Sequence, residues 1–423
     1  MRKVLSEVLP VIKPSLKEQK AELEFSRELV KHIKKNVPPG CDVVLTGSVA
    51  KLTFLRDKRD LDVFVLFDRS VPKEKLEPYI KKILKDAFPS LGYQLSYAEH
   101  PYARFRYKGR RIDLVPAYRI TRSSQRVSAV DRSVLHTKFI LRSLKVAQRE
   151  DVLLLKQFLK ANSLYGAEIK VGGFSGYLCE LLVIKHGSFP RLMKAATDWK
   201  PPVFIDIKRY YKSKKQIETA IGQFGHFVVI DPTDSKRNVA AAVSRENFLK
   251  FVKLCKRFVK KPSTAFFLRK PDTFERKVSK AAKRYKVFTI SMPRPHVVDD
   301  VLWGQLHKLM KQLKEHLADF RPKSIFADDS VHLVRLAVAL EKDALPPKMS
   351  LEGPPLRMKK HVEKFRKAHK RAKFITRKKK IHAVKKRAVV KAEAAIRQFF
   401  RAFSSSRSHL AYPEEMLILR RVD

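Results

Sequence analysis

The apolar positions of this chain change period several times, and each change marks an expected element. Within residues 1–37, Val4, Leu5, Val8 and Leu9, then Leu23, Phe25, Leu29 and Ile33, recur at helical spacing. Pro38-Pro39-Gly40 closes that helix. Strand patterns follow at 42–45 and 61–67, and a helix is expected near 73–87. In 103–120, ARFRYKGRRIDLVPAYRI, two alternating runs flank Lys108-Gly109, the pattern of a β-hairpin. Residues 134–158 read as one helix through Leu141, Leu144, Leu153, Leu154 and Phe158. A Gly-rich break, VGGFSG at 171–176, precedes an apolar helix to Lys185. Mixed elements fill 200–260, and beyond 263 short strands alternate with helices. A strand is expected at 286–291, a helix at 298–320 and a Pro-rich loop at 345–355. No internal repeat is present. The expected domains are 1–140, 141–262 and 263–423.

Composition sharpens this picture through charge. The chain has 423 residues, room for two to four domains, and 44% of them are hydrophobic. Ninety-two Lys and Arg against forty-two Asp and Glu leave a net charge of +50, which calls for a polyanionic partner, nucleic acid above all. No apolar run approaches the ~18–20 residues of a membrane-spanning helix. The N-terminal segment lacks the apolar core of a signal peptide, so a cytoplasmic location is expected. Cys41, Cys179 and Cys255 lie far apart and read as small buried residues in a reducing compartment. The bias peaks at 357–387, where sixteen of thirty-one residues are Lys or Arg and only Glu363 is acidic. The expectation there is contact with an RNA backbone, each neutralised phosphate releasing counterions; a solvated helix face or a partly disordered basic tail is the alternative.

The candidate chemistry sits in GSVAKLTFLRDKRDLDVFVLF, residues 47–67. Asp60 and Asp62, at i and i+2 of a strand start, point to one face. Carboxylates so placed hold hard divalent cations, magnesium in particular. A metal pair needs a further carboxylate from a neighbouring strand, and Asp113 on the second hairpin strand, facing away from Ile112 and Leu114, is the candidate. Gly47 and Ser48 follow a β-run, so turn N–H groups and the Ser48 hydroxyl can grip triphosphate oxygens, with Lys51 adding positive charge. Asp57 and Asp68 read as surface residues.

The G-S-V-A-K and D-L-D-V-F-V-L-F patterns resemble the nucleotidyltransferase superfamily of polymerase beta, poly(A) polymerase and CCA-adding enzymes. VDRSVLHT (130–137), LLLKQFLK (153–160), YGAEIKVGGFSGYL (165–178), IDPTDSKRNVAAAVS (230–244), VDDVLW (298–303) and LEGPPL (351–356) resemble the archaeal, class I CCA-adding enzymes. The similarity reaches to about Phe365. It implies an α+β multidomain fold: a polymerase-beta-like head with a mixed sheet, a mainly helical middle domain and a C-terminal α+β RNA-binding region with antiparallel sheet. It implies addition of C, C and A to the tRNA 3′ end from CTP and ATP, with two magnesium ions held by Asp60, Asp62 and Asp113. The partner would be tRNA, held by its acceptor stem and T arm, with no membrane and no obligate protein partner. Ser48, Lys51, His136, Lys156 and Tyr165 would contact the nucleotide, and Arg237 would read the base. Leu52 departs from the family, which usually has a small residue there, typically Gly; the basic stretch after Phe365 departs as well. The alternatives are a poly(A)-polymerase-like terminal transferase and a noncatalytic RNA-binding protein on the same scaffold.

Overall fold

A computed structural model describes residues 1–97, 101–222 and 225–422. The chain forms two compact units, Met1–Pro271 and Asp272–Asp423. The expected domains 1–140 and 141–262 both fall within the first unit.

The N-terminal segment is two helices where one was expected, α1 (Arg2–Ile12) and α2 (Leu16–Lys34). Pro14 holds Lys13 extended (φ −83°, ψ 129°) and so ends α1. Ser15 then starts α2 with a capping box: its hydroxyl accepts from the Glu18 N–H, and the Glu18 carboxylate accepts from the Ser15 N–H.

The first sheet has five strands, β1 (Asp42–Thr46), β2 (Leu61–Phe67), β3 (Tyr93–Tyr97), β4 (Pro101–Tyr107) and β5 (Arg110–Tyr118), in the order β1-β2-β5-β4-β3. It is mixed: β2 and β5 are parallel, and every other pair is antiparallel. The short α3 (Gly47–Ala50) joins β1 towards β2, and α4 (Leu76–Ala87) lies between β2 and β3 in the chain. Leu61, Val63, Val65 and Phe67 pack on one face with Leu29, Ile33, Ile80 and Ile83. Phe64 and Leu66 pack on the other with Ala117 and Val134. Burial on both faces explains why β2 reads as a near-continuous apolar run after its aspartates.

The rest of the first unit is mainly helical. The expected helix 134–158 is again two, α5 (Arg132–Ser143) and α6 (Gln148–Ala161). Leu144 is extended (ψ 114°), and the Lys145 N–H donates to the Gln148 side chain at 3.0 Å, which closes the break. Around α6 gather α7 (Gly176–His186), α8 (Phe189–Ala196), α10 (Arg245–Lys260) and α11 (Ala265–Leu268). Phe158 of α6 sits wholly buried among Phe189, Phe258 and Phe267. A small sheet of β6 (Val203–Ile205), β7 (Phe227–Asp231) and β8 (Asp234–Asn238), with α9 (Lys214–Ile221), completes the unit.

The second unit holds two antiparallel sheets. In the first, β9 (Lys286–Pro293), β10 (Pro322–Asp329), β11 (Leu333–Leu340) and β15 (Ile418–Val422) run in the order β10-β11-β9-β15. Phe288, Ile290, Leu336 and Val338 face α13 (Asp299–His316) and α15 (Ala392–Phe403), while Val287, Ala337 and Ala339 face α12 (Phe274–Ala282), the period-two alternation of a strand. The second sheet, ordered β12-β14-β13, comprises β12 (Lys348–Pro355), β13 (Lys373–Arg377) and β14 (Lys380–Lys386), with α14 (Lys359–Ala368) between β12 and β13 in the chain. The stretch expected as a Pro-rich loop is therefore largely strand β12. It lies at the sheet edge with an irregular register near Pro355, where missing N–H donors are tolerated. The basic stretch after 357 is a helix and a hairpin, and no residue of α14 is buried. Among the described residues no helix is long and apolar enough to cross a membrane.

Candidate active site

A cleft of about 400 Å³ opens in the first unit, at the end of β1 and β2. Of the residues expected to act, Gly47, Ser48, Lys51, Asp60, Asp62, His136, Lys156 and Tyr165 line it. Asp113 and Arg237 do not line it, and each reaches it through a neighbour.

The strand register places the carboxylates. Asp62 stands opposite Thr46 of β1 on one side and Asp113 of β5 on the other. Side chains at paired positions of adjacent strands share a face, so Asp113 flanks Asp62 while Ile112 and Leu114 are fully buried on the reverse. Burial, with the nearby charges of Asp113 and Asp60, pushes the Asp62 carboxyl up from 3.8 to about 6; Lys51 and Arg111 oppose the rise. Arg104 of β4 binds Asp113 with two hydrogen bonds, both 2.8 Å. Arg111 ion-pairs with Asp60, and the Lys58 ammonium stands 3.9 Å away from it. Among the described residues no three His, Cys, Asp or Glu side chains are grouped as a ready ligand set. The donors are nonetheless of the right kind: all oxygen, mutually repelling, and each outer one held by a guanidinium that supplies the missing positive charge. Asp57 and Asp68 are exposed, as expected, Asp57 pairing with Lys160 at 2.5 Å.

Gly47 is dictated by this packing. Its φ is +69°, and a Cβ there would run into the Asp62 carboxylate. Gly47→Ala should displace Asp62 and lower the turnover that depends on these carboxylates at least about 10²-fold, the scale of a small misplacement of reacting groups. Steady-state turnover against wild type checks this, with the circular dichroism spectrum expected to stay unchanged.

The opposite wall is cationic but not free. The Lys51 ammonium donates to Glu180 Oε2 at 2.5 Å, and the Thr53 hydroxyl donates to Glu180 Oε1 at 2.6 Å. Lys156, also buried, donates to the Thr53 carbonyl at 2.8 Å and lies 3.6 Å from Glu180 Oε1. Burial pulls the Lys156 ammonium down; Glu180 opposes it. For Glu180 burial works upward, yet the charges of Lys51 and Lys156 outweigh it and hold the carboxyl low. Leu52 has φ +54°, the left-handed region in which glycine is unstrained. Its half-buried side chain packs against the head core.

The third wall is made by His136 and Tyr177, with the buried Asp231 at the end of β7 behind them. His136 Nε2 lies 2.8 Å from Asp231 Oδ2, Arg237 donates to the same oxygen at 2.9 Å, and the Tyr177 hydroxyl donates to Oδ1 at 3.1 Å. His136 stacks on Tyr177, with ring centroids 4.0 Å apart. Burial lowers His136, against the pull of Asp231. Asp231 itself is held far below the usual carboxylate range: burial would raise it, but His136, the Thr233 N–H and Arg237 prevail. Glu180, Thr53, Tyr177, Arg111 and Asp231 were missed from the sequence. Glu180 left a signal, being the one acidic residue in the apolar run GYLCELLVI of α7. Asp231 left another, as a carboxylate closing the wholly buried strand FVVID.

Residues 26–136 match the family described as "Nucleotidyltransferase domain", 150–268 match "tRNA nucleotidyltransferase, second domain", and 283–410 match "CCA-adding enzyme, C-terminal domain". The chain is 36% identical over 385 residues to the CCA-adding enzyme of Methanocaldococcus jannaschii, covering 87% of this chain and 84% of the relative. It is 35% identical over 370 residues to that of Methanosarcina mazei, covering 85% and 80%. Among solved structures, the RNA terminal uridylyl transferase Cid1 aligns with 64% of this chain and 98% of its own, at a TM-score of 0.50 and 15% identity, a likeness of fold alone.

Proposed function

This chain belongs to the family of CCA-adding enzymes, and from that premise we propose how its cleft carries out the reaction. The activity is template-independent addition of C, C and A to the 3′ end of tRNA. We assign the substrates as CTP and ATP: the terminal 3′-hydroxyl attacks the α-phosphate in line, and pyrophosphate leaves. Ser48 and Lys51 bind triphosphate oxygens at the mouth of β1, and Lys156 and Tyr165 add a buried cation and a hydroxyl to the same wall. His136, stacked on Tyr177 and held by Asp231, orients the nucleotide. Arg237, fixed by the same carboxylate, offers the rest of its planar fork to the base. Asp60, Asp62 and Asp113 would hold divalent metal, in this reading two magnesium ions, with Arg104 and Arg111 yielding their carboxylates. Such metal, when bound, lowers the pKa of the attacking hydroxyl and offsets charge on the leaving group. The basic surfaces hold the acceptor stem and T arm by shape and backbone, in the cytoplasm where tRNA is found.

The observation that carries this assignment is the register of β1, β2 and β5, which sets Asp62 beside Asp113 and directly beneath Gly47. The test is incubation of tRNA lacking its end with labelled CTP, ATP and magnesium. The expected product is longer by three nucleotides and no more. A long homopolymer would transfer the assignment to a poly(A)-polymerase-like enzyme. No incorporation by folded, tRNA-binding protein would leave a noncatalytic RNA-binding scaffold.

A further inference from the structure

We infer that Glu180 is a positioning residue for the nucleotide: its buried carboxylate holds Lys51 and Lys156 as a preset cationic wall, joining the catalytic head to the helical middle. The inference rests on the assignment of the cleft to nucleotide binding.

The geometry carries it. Lys51 and Thr53 follow α3 in the head, whereas Lys156 and Glu180 come from α6 and α7. One carboxylate meets all three partners, Lys51 at 2.5 Å and Thr53 at 2.6 Å across more than a hundred residues of chain, and Lys156 at 3.6 Å. Glu180 is fully buried, Lys156 is 2% exposed and Lys51 7%. When both lysines are protonated, two ammonium groups and one carboxylate leave one positive charge buried at the cleft wall. A cation so placed is unfavourable by itself and is relieved by an anion entering the cleft. A triphosphate is such an anion. Glu180, at the floor of the cleft and fully buried, acts through the lysines. Without Glu180 the two ammonium groups would face each other with no counter-charge, and Lys51, the more exposed, would lose its fixed direction.

The experiment uses the full-length chain with magnesium, comparing wild type with Glu180→Gln and Glu180→Asp. Gln preserves size and a carbonyl for the Thr53 hydroxyl but removes the charge; Asp keeps the charge. CTP affinity is titrated directly, tRNA affinity separately, and KM and kcat are measured at saturating tRNA. Glu180→Gln should weaken CTP binding and raise KM by about 10- to 100-fold, the range of one or two lost charge-assisted hydrogen bonds. Its kcat at saturating CTP should stay within about threefold of wild type and its tRNA affinity should not move, because uniform binding is lost and chemistry is not. Glu180→Asp should recover most of the lost affinity, and it carries the test should Glu180→Gln fail to fold. A fall in kcat with KM unchanged, parallel loss of CTP and tRNA affinity, or an Asp variant no better than Gln would overturn the inference. If wild type extends tRNA and Glu180→Gln equals it, only the role of Glu180 fails; if wild type extends nothing, the reading of the cleft fails first.

Discussion

Asp62→Ala is expected to abolish nucleotide incorporation, lowering kcat by roughly 10³-fold or more, while tRNA binds as before. Asp62 is the central carboxylate of the three, flanked in register by Asp113 and preceded by Asp60. Its loss leaves the outer two, Asp60 and Asp113, without the carboxylate that stands between them. In metal-free buffer the same variant should be more stable than wild type. Burial and like charges raise the Asp62 carboxyl from 3.8 to about 6, so its ionised form opposes folding. The sign follows directly. The raised group destabilises fully above about pH 6, progressively less as pH falls towards 3.8, and not at all below. Melting temperatures of Asp62→Ala and wild type should therefore differ at pH 7 and converge near pH 4. Retained incorporation would remove Asp62 from the metal site, and a large loss of stability at pH 7 would contradict its electrostatics.

Affinity for tRNA should collapse with salt, by about 10³- to 10⁵-fold between 50 and 200 mM if six to ten phosphates are contacted. A net charge of +50 and the Lys- and Arg-rich stretch at 357–387 motivate this. The tip of the β13–β14 hairpin allows a clean local test. Lys378 and Lys379 are exposed and both have positive φ, 48° and 61°. Asn-Gly suits that turn better than Lys-Lys does, so Lys378→Asn with Lys379→Gly removes two charges while favouring the fold. If the tip meets the RNA backbone, the double variant should weaken binding evenly across tRNA sequences and reduce the salt slope by up to about two. A flat salt response in wild type would sink the electrostatic reading. An unchanged slope in the double variant would move the contact away from the hairpin.

Much of the head was legible because its signals are local. The 61–67 strand, the Lys108-Gly109 hairpin and the pair of aspartates follow from alternation and spacing, which a single strand displays in sequence. The helix breaks at Pro14 and Leu144 were not seen, since apolar residues keep helical spacing on both sides of each. A cap at Ser15 and a hydrogen bond from the Lys145 N–H to the Gln148 side chain decide them. Strand β12 was hidden for the opposite reason: its prolines read as loop, and only an edge position makes them harmless.

The sequence by itself determined that this chain handles a polyanion and carries carboxylates, a small-residue turn and lysines suited to nucleotidyl transfer. Those properties reside in residue type and near spacing. Only the tertiary structure decided how the residues are partnered. It sets Asp113 in the fork of Arg104, Lys51 and Lys156 on Glu180, and His136 and Arg237 together on Asp231. Each partnership spans residues distant in the chain or turns on how strands lie side by side. Electrostatic energy depends on distance through space, and no periodicity along a sequence encodes that.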